Sequence, residues 1–246
     1  MILFVFEGGK SEPLVFDSLA KLFLTGEEVR VVTCEYDLPT LFSRLKKNGY
    51  DLFRSLPLEE NGIMIPEDVR IDTLFSQIFL FFDYDFQNLI GVDRVNGILE
   101  EMLDYFDDET GNGKLYVNYP MIESLKHTKE MPDEEYCHYT VSRAVCAEHK
   151  FKGLAEAFAY VGAKQYNFID LTKTLADEVR HNWELLKDQN VRKANFICNG
   201  QNAMPSRKED IAQNKLFVAQ KEKYVDKDDS VAILNSFPIF LFEYLR

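Results

Sequence analysis

Acidic side chains follow the apolar runs of this sequence at the points where the runs end. The run Ile2–Phe6 is followed by Glu7, and the run Gln77–Phe82 is followed by Asp83 and Asp85. Asp83 and Asp85 are alternate residues at the end of a predicted strand, so their side chains point to the same side. Carboxylate oxygens are the ligands that Mg²⁺ and Mn²⁺ prefer in proteins. The spacing therefore indicates a site for a hard divalent cation.

Two further carboxylates are candidate ligands of the same site. Glu12 lies at the start of the helix predicted after Glu7, and Glu123 lies one turn into the helix predicted after the strand Lys114–Val117. In open α/β sheets, ligands bind at the carboxyl ends of the strands, because loops and helix N-termini converge there. Clustered carboxylates cost free energy unless a cation neutralises them. For any single acid, capping a helix or facing solvent is the simpler interpretation.

The elements that position these residues alternate along the first half of the chain. The predicted strands are Ile2–Phe6, Val29–Thr33, Gln77–Phe82 and Lys114–Val117, and the predicted helices begin near Ser11, Leu38, Val92 and Pro120, the last ending near His127. Residues 51–73 contain Pro57, Gly62 and Pro66, which predict an irregular connection. Strands that alternate with helices are typical of a mainly parallel sheet flanked by helices, so the predicted fold class is α/β.

The second half has a different character. Long helices are predicted over Phe151–Tyr160, Tyr166–Leu186 and Arg207–Lys223. We therefore expect a domain over residues 1–127 and a mostly helical extension over residues 128–246, with a role in substrate binding or oligomerisation. The stretch Val231–Leu245 is very apolar, so it should dock on the core or on another chain.

Charge is distributed unevenly between the two halves. The net charge is −13, and residues 1–125 carry 23 Asp and Glu but 10 Lys and Arg, whereas the remainder carries 18 of each. An acidic half repels phosphate unless cations bridge the two, so it indicates either a plain anionic surface or a metal site. In the second half, Arg192, Lys193 and Trp183 belong to a mixture of basic and aromatic residues. Such a mixture can hold a nucleic-acid backbone and stack bases, or can belong to a structural cap.

No apolar run approaches the roughly 18 residues that span a bilayer. The N-terminus has no basic segment ahead of its first apolar run, and the four cysteines are scattered without a paired framework. These features predict a cytoplasmic protein with reduced thiols and no membrane partner.

The motifs and their order resemble the TOPRIM domain, which occurs in topoisomerases, primases and the overcoming-lysogenization-defect family of nucleases. The resemblance covers residues 1–127 and is carried by the segments 4–12, 81–85 and 118–123. It implies that Glu7 is a metal ligand or general acid/base, and that Asp83 and Asp85 bind the cation. One extra residue separates Glu7 from Glu12 relative to the commoner pattern of that nuclease family.

The resemblance also implies a function. Some TOPRIM nucleases of phage-defence systems have similar motifs, so we expect a Mg²⁺- or Mn²⁺-dependent endonuclease that cleaves DNA or RNA as an abortive-infection effector. It would be a homo-oligomer held in check by an ATPase partner. Lys10 or Lys126 would contact the transition state. The competing hypothesis is a catalytically inactive TOPRIM-like binding or scaffold subunit.

The segment Gly8-Gly9-Lys10-Ser11 also invites comparison with a P-loop, since a strand and a helix flank it. A P-loop needs a glycine five positions before its Gly-Lys pair so that the loop can wrap phosphate. That position is Phe4, inside the predicted strand. Lys10 is therefore better interpreted as a phosphate-contacting or solvated lysine.

Overall fold

The computed structural model describes residues 1–64 and 74–245, and its centre is a five-stranded sheet. The strands of this sheet are β1 (Ile2–Phe6), β2 (Val29–Thr33), β3 (Gln77–Asp83), β4 (Asp107–Asp108) and β5 (Gly113–Asn118). Their order is β2-β1-β3-β5-β4; all neighbouring pairs are parallel except β4 with β5. The predicted α/β class with a mainly parallel sheet is therefore confirmed.

Helices surround the sheet and fill most of the second half. They are α1 (Ser11–Phe23), α2 (Leu38–Lys47), α3 (Leu52–Ser55), α4 (Val92–Tyr105), α5 (Arg143–Ala147), α6 (Phe151–Phe158), α7 (Ala176–Asn199), α8 (Gln213–Gln220), α9 (Asp226–Asp228) and α10 (Ser236–Tyr244). Strands β6 (Thr140–Ser142) and β7 (Ser230–Ala232) form a separate antiparallel pair. None of the helices in the described ranges has both the length and the apolar character that a membrane span requires.

Strands β1 and β3 lie side by side at the centre of the sheet, where Phe6 pairs with Phe81. β1 is apolar and buried throughout, and β3 is apolar and buried from Ile78 to Phe82. A strand buried on both faces has no need of polar alternation, which explains the unbroken apolar runs. Because the two strands are parallel neighbours, Glu7 and Asp83 follow them at the same edge of the sheet.

The crossover connections distribute the helices over both faces. The chain moves from β1 outward to β2, and from β2 back past β1 to β3 and then β5. Since such crossovers are right-handed, α1 lies on one face and α2 and α4 lie on the other. The Phe16 ring of α1 packs 4.3 Å from the Phe4 ring of β1, and α2 and α4 contact each other.

The apolar C-terminal segment docks on the core of its own chain. It forms β7 and then α10, whose Phe237 ring stacks 4.3 Å from Phe81 and whose Phe240 ring lies 5.5 Å from Phe4. One apolar cluster therefore includes residues from both halves of the chain. The division into segments 1–127 and 128–246 stays a prediction.

Several predicted helices differ from the observed elements. In place of a helix from Pro120 to His127 there is a short 3₁₀ helix, Ile122–Lys126. The Asn235 amide, from the second half, donates hydrogen bonds to Ile122 O at 3.1 Å and Ser124 Oγ at 3.0 Å. These long-range contacts hold the segment in a conformation that local pattern could not indicate.

The helix predicted over Tyr166–Leu186 is also wrong at its start. Residues Gln165 and Tyr166 have left-handed backbones, with φ of 54° and 59°, inside the 3₁₀ helix Lys164–Ile169. The long helix α7 begins ten residues after Tyr166, at Ala176. The helix predicted over Arg207–Lys223 starts instead at Gln213, after a 3₁₀ helix Lys208–Ile211.

The irregular connection predicted over residues 51–73 is described only in part. It contains the one-turn helix α3 and then turns through Gly62, whose φ is 70°. Pro66 lies outside the described residues.

Candidate metal centre

Glu7 and Asp83 are joined directly. A carboxylate oxygen of Glu7, Oε2, accepts a hydrogen bond from the backbone N–H of Asp83 at 3.0 Å. Burial raises the pKa of Glu7 well above its ordinary value, the charge of Asp85 raises it further, and the Asp83 hydrogen bond opposes both effects. The two strand-end acids that the sequence predicts to lie together are thus in direct contact, and this contact lowers the pKa of Glu7 against the larger effect of burial.

Asp83 is anchored by the second half of the chain through Asn118. The Asn118 side-chain amide donates to Asp83 Oδ1 at 3.0 Å, and its carbonyl oxygen accepts from the Ser236 hydroxyl at 2.7 Å and from the Ser236 N–H at 3.0 Å. Burial raises the pKa of Asp83 well above its ordinary value, and the charges of Glu7, Glu12 and Asp85 add to this effect. The relay fixes the Asp83 carboxylate while leaving it without a cationic partner among the described residues.

Asp85 lies two residues beyond Asp83 and is half-buried. Its Oδ1 accepts a hydrogen bond from Gln87 Nε2 at 2.9 Å. Burial raises the pKa of Asp85 to about 6; the Gln87 hydrogen bond opposes this shift and the charge of Asp37 adds to it. A carboxyl group with such a pKa titrates close to neutral pH.

Glu12 reaches back from α1 to the turn after β1. Only 4% of Glu12 is exposed, and its Oε1 accepts a hydrogen bond from the Gly8 N–H at 3.1 Å. A Cβ atom at residue 8 would lie 2.8 Å from Glu12 Oε2, so a larger residue there would require the Glu12 carboxylate to shift. Burial raises the pKa of Glu12, and the charge of Glu123 adds to the rise.

Glu123 joins the cluster from the 3₁₀ helix Ile122–Lys126. Glu123 is 4% exposed, and its Oε1 is 3.1 Å from Lys152 Nζ on α6. Lys152 is itself well exposed. Glu123 is therefore the one predicted acid of this cluster that forms an ion pair within the described residues.

The two lysines considered for phosphate contact have different environments. Lys10 is exposed immediately before α1, and none of the ion pairs formed within residues 1–64 and 74–245 involves it. Lys126 is 5% exposed and its Nζ is 2.6 Å from Glu156 Oε2. Of the two lysines, Lys10 is therefore the one accessible to a phosphate, whereas Lys126 is buried in an ion pair with Glu156.

The cluster contains five predicted carboxylates whose charges act on one another at one edge of the sheet. They are Glu7, Glu12, Asp83, Asp85 and Glu123. Within the described part of the chain, no group of three His, Cys, Asp or Glu side chains already has a geometry that could hold a metal ion. Mg²⁺ commonly keeps several waters and binds through one or two carboxylates, so a smaller set of ligands is sufficient. Burial is the main cause of the raised pKa values in this cluster, and repulsion among the carboxylates adds to it. A cation fits such a cluster, because it offsets both effects.

Three residues of the site were not assigned a role from the sequence. Asp37 caps α2 by accepting a hydrogen bond from the Thr40 N–H at 3.0 Å. Its charge raises the pKa of Glu7 and of Asp85. It follows β2 at the same sheet edge, so the strand-end rule could have indicated it. Asn118 ends β5 and could have been found in the same way. Tyr166 has no strand-end signal; the sequence indicates it only as one of the aromatic residues mixed with basic residues in the second half, which could stack bases or belong to a structural cap.

Tyr166 lies close to the carboxylates. The residue is 6% exposed, and its hydroxyl makes no hydrogen bond of standard geometry with any of the described residues. The Ser11 side chain, at the start of α1, is a hydrogen-bonding neighbour of this hydroxyl. Burial raises the pKa of Tyr166, and the charges of Glu123, Asp83 and Glu12 raise it further. The hydroxyl is therefore a neutral donor in a strongly negative environment.

The basic residues proposed for nucleic-acid contact are not equivalent. Lys193 has no exposed surface, and its Nζ donates to Tyr136 O at 2.8 Å and Tyr139 O at 2.7 Å. Arg192 is partly exposed and pairs with Asp188, four residues earlier on α7, at 2.8 Å. The structure therefore contradicts a surface role for Lys193 and leaves Arg192 accessible.

Comparisons of the chain with family models, with curated proteins and with solved structures found no match. The chemistry of the carboxylate cluster is therefore the basis for a functional assignment.

Proposed function

We propose that this protein is a Mg²⁺- or Mn²⁺-dependent endonuclease of the TOPRIM type, acting on DNA or RNA. The observation that carries the proposal is the hydrogen bond between Glu7 Oε2 and the N–H of Asp83. It brings the acids that end the two central strands together, as a metal-dependent phosphodiesterase requires. The motif resemblance further supports a cytoplasmic effector of antiphage defence, assembled as a homo-oligomer with an ATPase partner.

The cluster explains why a cation is needed. A phosphodiester that approaches Glu7, Asp83 and Asp85 meets like charge in a partly buried site, and this repulsion prevents binding unless it is offset. Bound Mg²⁺ supplies positive charge against the phosphate and makes nearby water more acidic. The Asn118 relay holds Asp83 in place for this role.

Glu7 is suited to proton transfer. Its burial and the charge of Asp85 raise its pKa, which brings its proton affinity closer to that of a water activated at neutral pH. Glu7 would accept the proton of the attacking water. Lys10, exposed at the start of α1, would contact the nucleic-acid backbone.

An inactive TOPRIM-like binding or scaffold subunit is the second candidate. One observation favours it: several carboxylates are already engaged, Glu12 with Gly8 N, Asp85 with Gln87 and Glu123 with Lys152. A cation would have to compete with these contacts.

The deciding experiment is incubation of the purified chain with plasmid DNA and with total RNA in Mg²⁺, Mn²⁺ or EDTA. We expect cleavage with either metal, none in EDTA, and none by the double variant Asp83→Asn/Asp85→Asn. The exposed Glu59→Gln is the matched control and should cleave normally. Absence of cleavage by a folded parent in every condition would favour the scaffold hypothesis.

A further inference from the structure

The Tyr166 hydroxyl is buried next to the site and makes no hydrogen bond of standard geometry with the described residues. It belongs to the 3₁₀ helix Lys164–Ile169, which contacts both α1, the helix of Glu12, and the 3₁₀ helix of Glu123. A buried hydroxyl without a partner loses its hydrogen bonds to water and gains none in return. Buried polar groups of this kind are uncommon, and one explanation is that a ligand completes them.

The segment that carries Tyr166 is held firmly. The N–H of Phe168 donates to Gly162 O at 2.8 Å, and the Asn182 amide of α7 donates to Phe168 O at 2.8 Å. The Lys126 ammonium lies 4.9 Å from the centre of the Tyr166 ring. Lys126 also forms an ion pair with Glu156. The ring is therefore confined between fixed groups, while its hydroxyl proton can still rotate toward a ligand or toward the Ser11 side chain.

The neighbouring groups determine which ligand the hydroxyl would take. The carboxylates of Glu123, Asp83 and Glu12 act on the hydroxyl, and the Lys126 ammonium lies against the ring. Asp83 and Glu12 already accept hydrogen bonds from Asn118 and Gly8. A phenol keeps its proton at neutral pH and so donates. An anion that binds to a carboxylate site together with a divalent cation can accept this hydrogen bond through its exposed oxygens. A phosphodiester is such an anion.

We propose that Tyr166 is a substrate-binding residue whose hydroxyl donates a hydrogen bond to a non-bridging oxygen of the bound phosphodiester. This inference rests on the proposed nuclease function and adds a donor from the second half of the chain to the acids of the first. No bond is formed or broken by Tyr166: it orients the phosphate and offsets part of its charge.

The test compares Tyr166→Phe with Tyr119→Phe. Tyr119 is an internal control, because its hydroxyl is also buried and unpartnered within the described residues but lies near Tyr84 and Cys198 rather than the carboxylates. Both substitutions remove only an unsatisfied hydroxyl, so both ligand-free variants should melt at or above the temperature of the parent. A lower melting temperature for Tyr166→Phe alone would indicate a structural role and contradict the proposal.

Binding is measured with inorganic phosphate as the probe, in the presence of Mg²⁺. We expect phosphate to raise the melting temperature of the parent and of Tyr119→Phe equally, and that of Tyr166→Phe by less, because a donor has been lost. The Mg²⁺ concentration for half-maximal stabilisation should be the same in all three proteins. Equal responses to phosphate in all three, or none in any, would overturn the proposal.

Cleavage assays separate this proposal from the nuclease function itself. With plasmid or RNA substrate, kcat/KM of Tyr166→Phe should fall about tenfold or more, the usual effect of losing a hydrogen bond to a charged group, and Tyr119→Phe should match the parent. If the parent does not cleave but the phosphate responses differ as expected, the nuclease function fails and Tyr166 remains an anion-binding residue. If the parent cleaves and Tyr166→Phe cleaves equally well, only the role of Tyr166 fails.

Discussion

The carboxylate of Glu7 accepts a hydrogen bond from the backbone N–H of Asp83 at 3.0 Å. Glu7 follows β1 and Asp83 ends β3, and 76 positions separate the two residues in the chain. The donor is an uncharged amide, so the bond aligns the two acids without supplying a counter-charge. The uncompensated acidic cluster is the feature on which the following predictions about the site depend.

Divalent cations should stabilise the protein through this cluster. Mg²⁺ or Mn²⁺ binds the folded state and relieves the repulsion among Asp83, Asp85 and Glu7, so millimolar metal should raise the melting temperature by mass action. The double variant Asp83→Asn/Asp85→Asn should lose that rise. Differential scanning fluorimetry with and without EDTA measures the effect. An unchanged rise in the double variant would place the metal elsewhere.

Glu7→Gln should separate folding from turnover. The glutamine amide retains the size of the side chain, and its carbonyl oxygen can accept the hydrogen bond from the Asp83 N–H. The melting temperature should therefore stay close to that of the parent. The amide lacks basicity, so cleavage should fall by roughly a hundredfold or more if Glu7 transfers a proton. Single-turnover cleavage measures the loss.

The same variant is informative in cells. Where the active protein is toxic, Glu7→Gln should restore growth without lowering protein abundance, and the exposed Glu59→Gln should not. Persistent toxicity of a normally abundant Glu7→Gln protein would rule out the nuclease function centred on this cluster.

Lys193 and Arg192 should respond differently to charge reversal. Lys193 is fully buried between the carbonyl oxygens of Tyr136 and Tyr139, so Lys193→Glu would place a carboxylate against two acceptors and cost about 3–5 kcal/mol. Arg192 forms only a partly exposed pair with Asp188, so Arg192→Glu should cost under about 1 kcal/mol. Urea unfolding measures both. Arg192→Glu is therefore the variant suited to nucleic-acid binding assays, and similar losses in the two variants would contradict the observed burial.

His127 should make the protein sensitive to acid. Its ring stacks 4.1 Å from the Phe158 ring and 5.7 Å from the Phe151 ring, and burial lowers its pKa to about 4. The unfolded chain takes up a proton near pH 6.5 and the folded chain does not, so this contribution to stability is lost as the pH falls from about 6.5 to about 4. The loss approaches roughly 3 kcal/mol at the lower limit.

His127→Phe keeps the aromatic stack and cannot be protonated. Urea unfolding at pH 7 and pH 4.5 should therefore show a smaller loss of stability for this variant than for the parent. His181→Gln, at an exposed histidine, is the control and should follow the parent. A variant with the same pH dependence as the parent would show that His127 does not carry the effect.

The sequence pattern located β1, β2, β3 and β5, the helices α1, α2 and α4, and the acids at the ends of β1 and β3. Local pattern carries this information, because an unbroken apolar run indicates a strand buried on both faces. Parallel strands also bring their carboxyl ends to one edge of a sheet. Glu7, Asp83 and Asp85 could thus be expected to lie together before any contact was known.

Long-range contacts determine what the second half contributes to the site. Asn118 is bound by Ser236, 118 residues later, and the segment after Pro120 is held by Asn235 rather than extended into a helix. Tyr166 reaches the site from a left-handed turn where the pattern predicted a helix, and Lys193 is buried on α7 where its charge predicted a surface. Periodicity reports which face of an element is apolar, but it contains no information about which distant segment satisfies a given polar group. Those pairings are determined only when the whole chain packs.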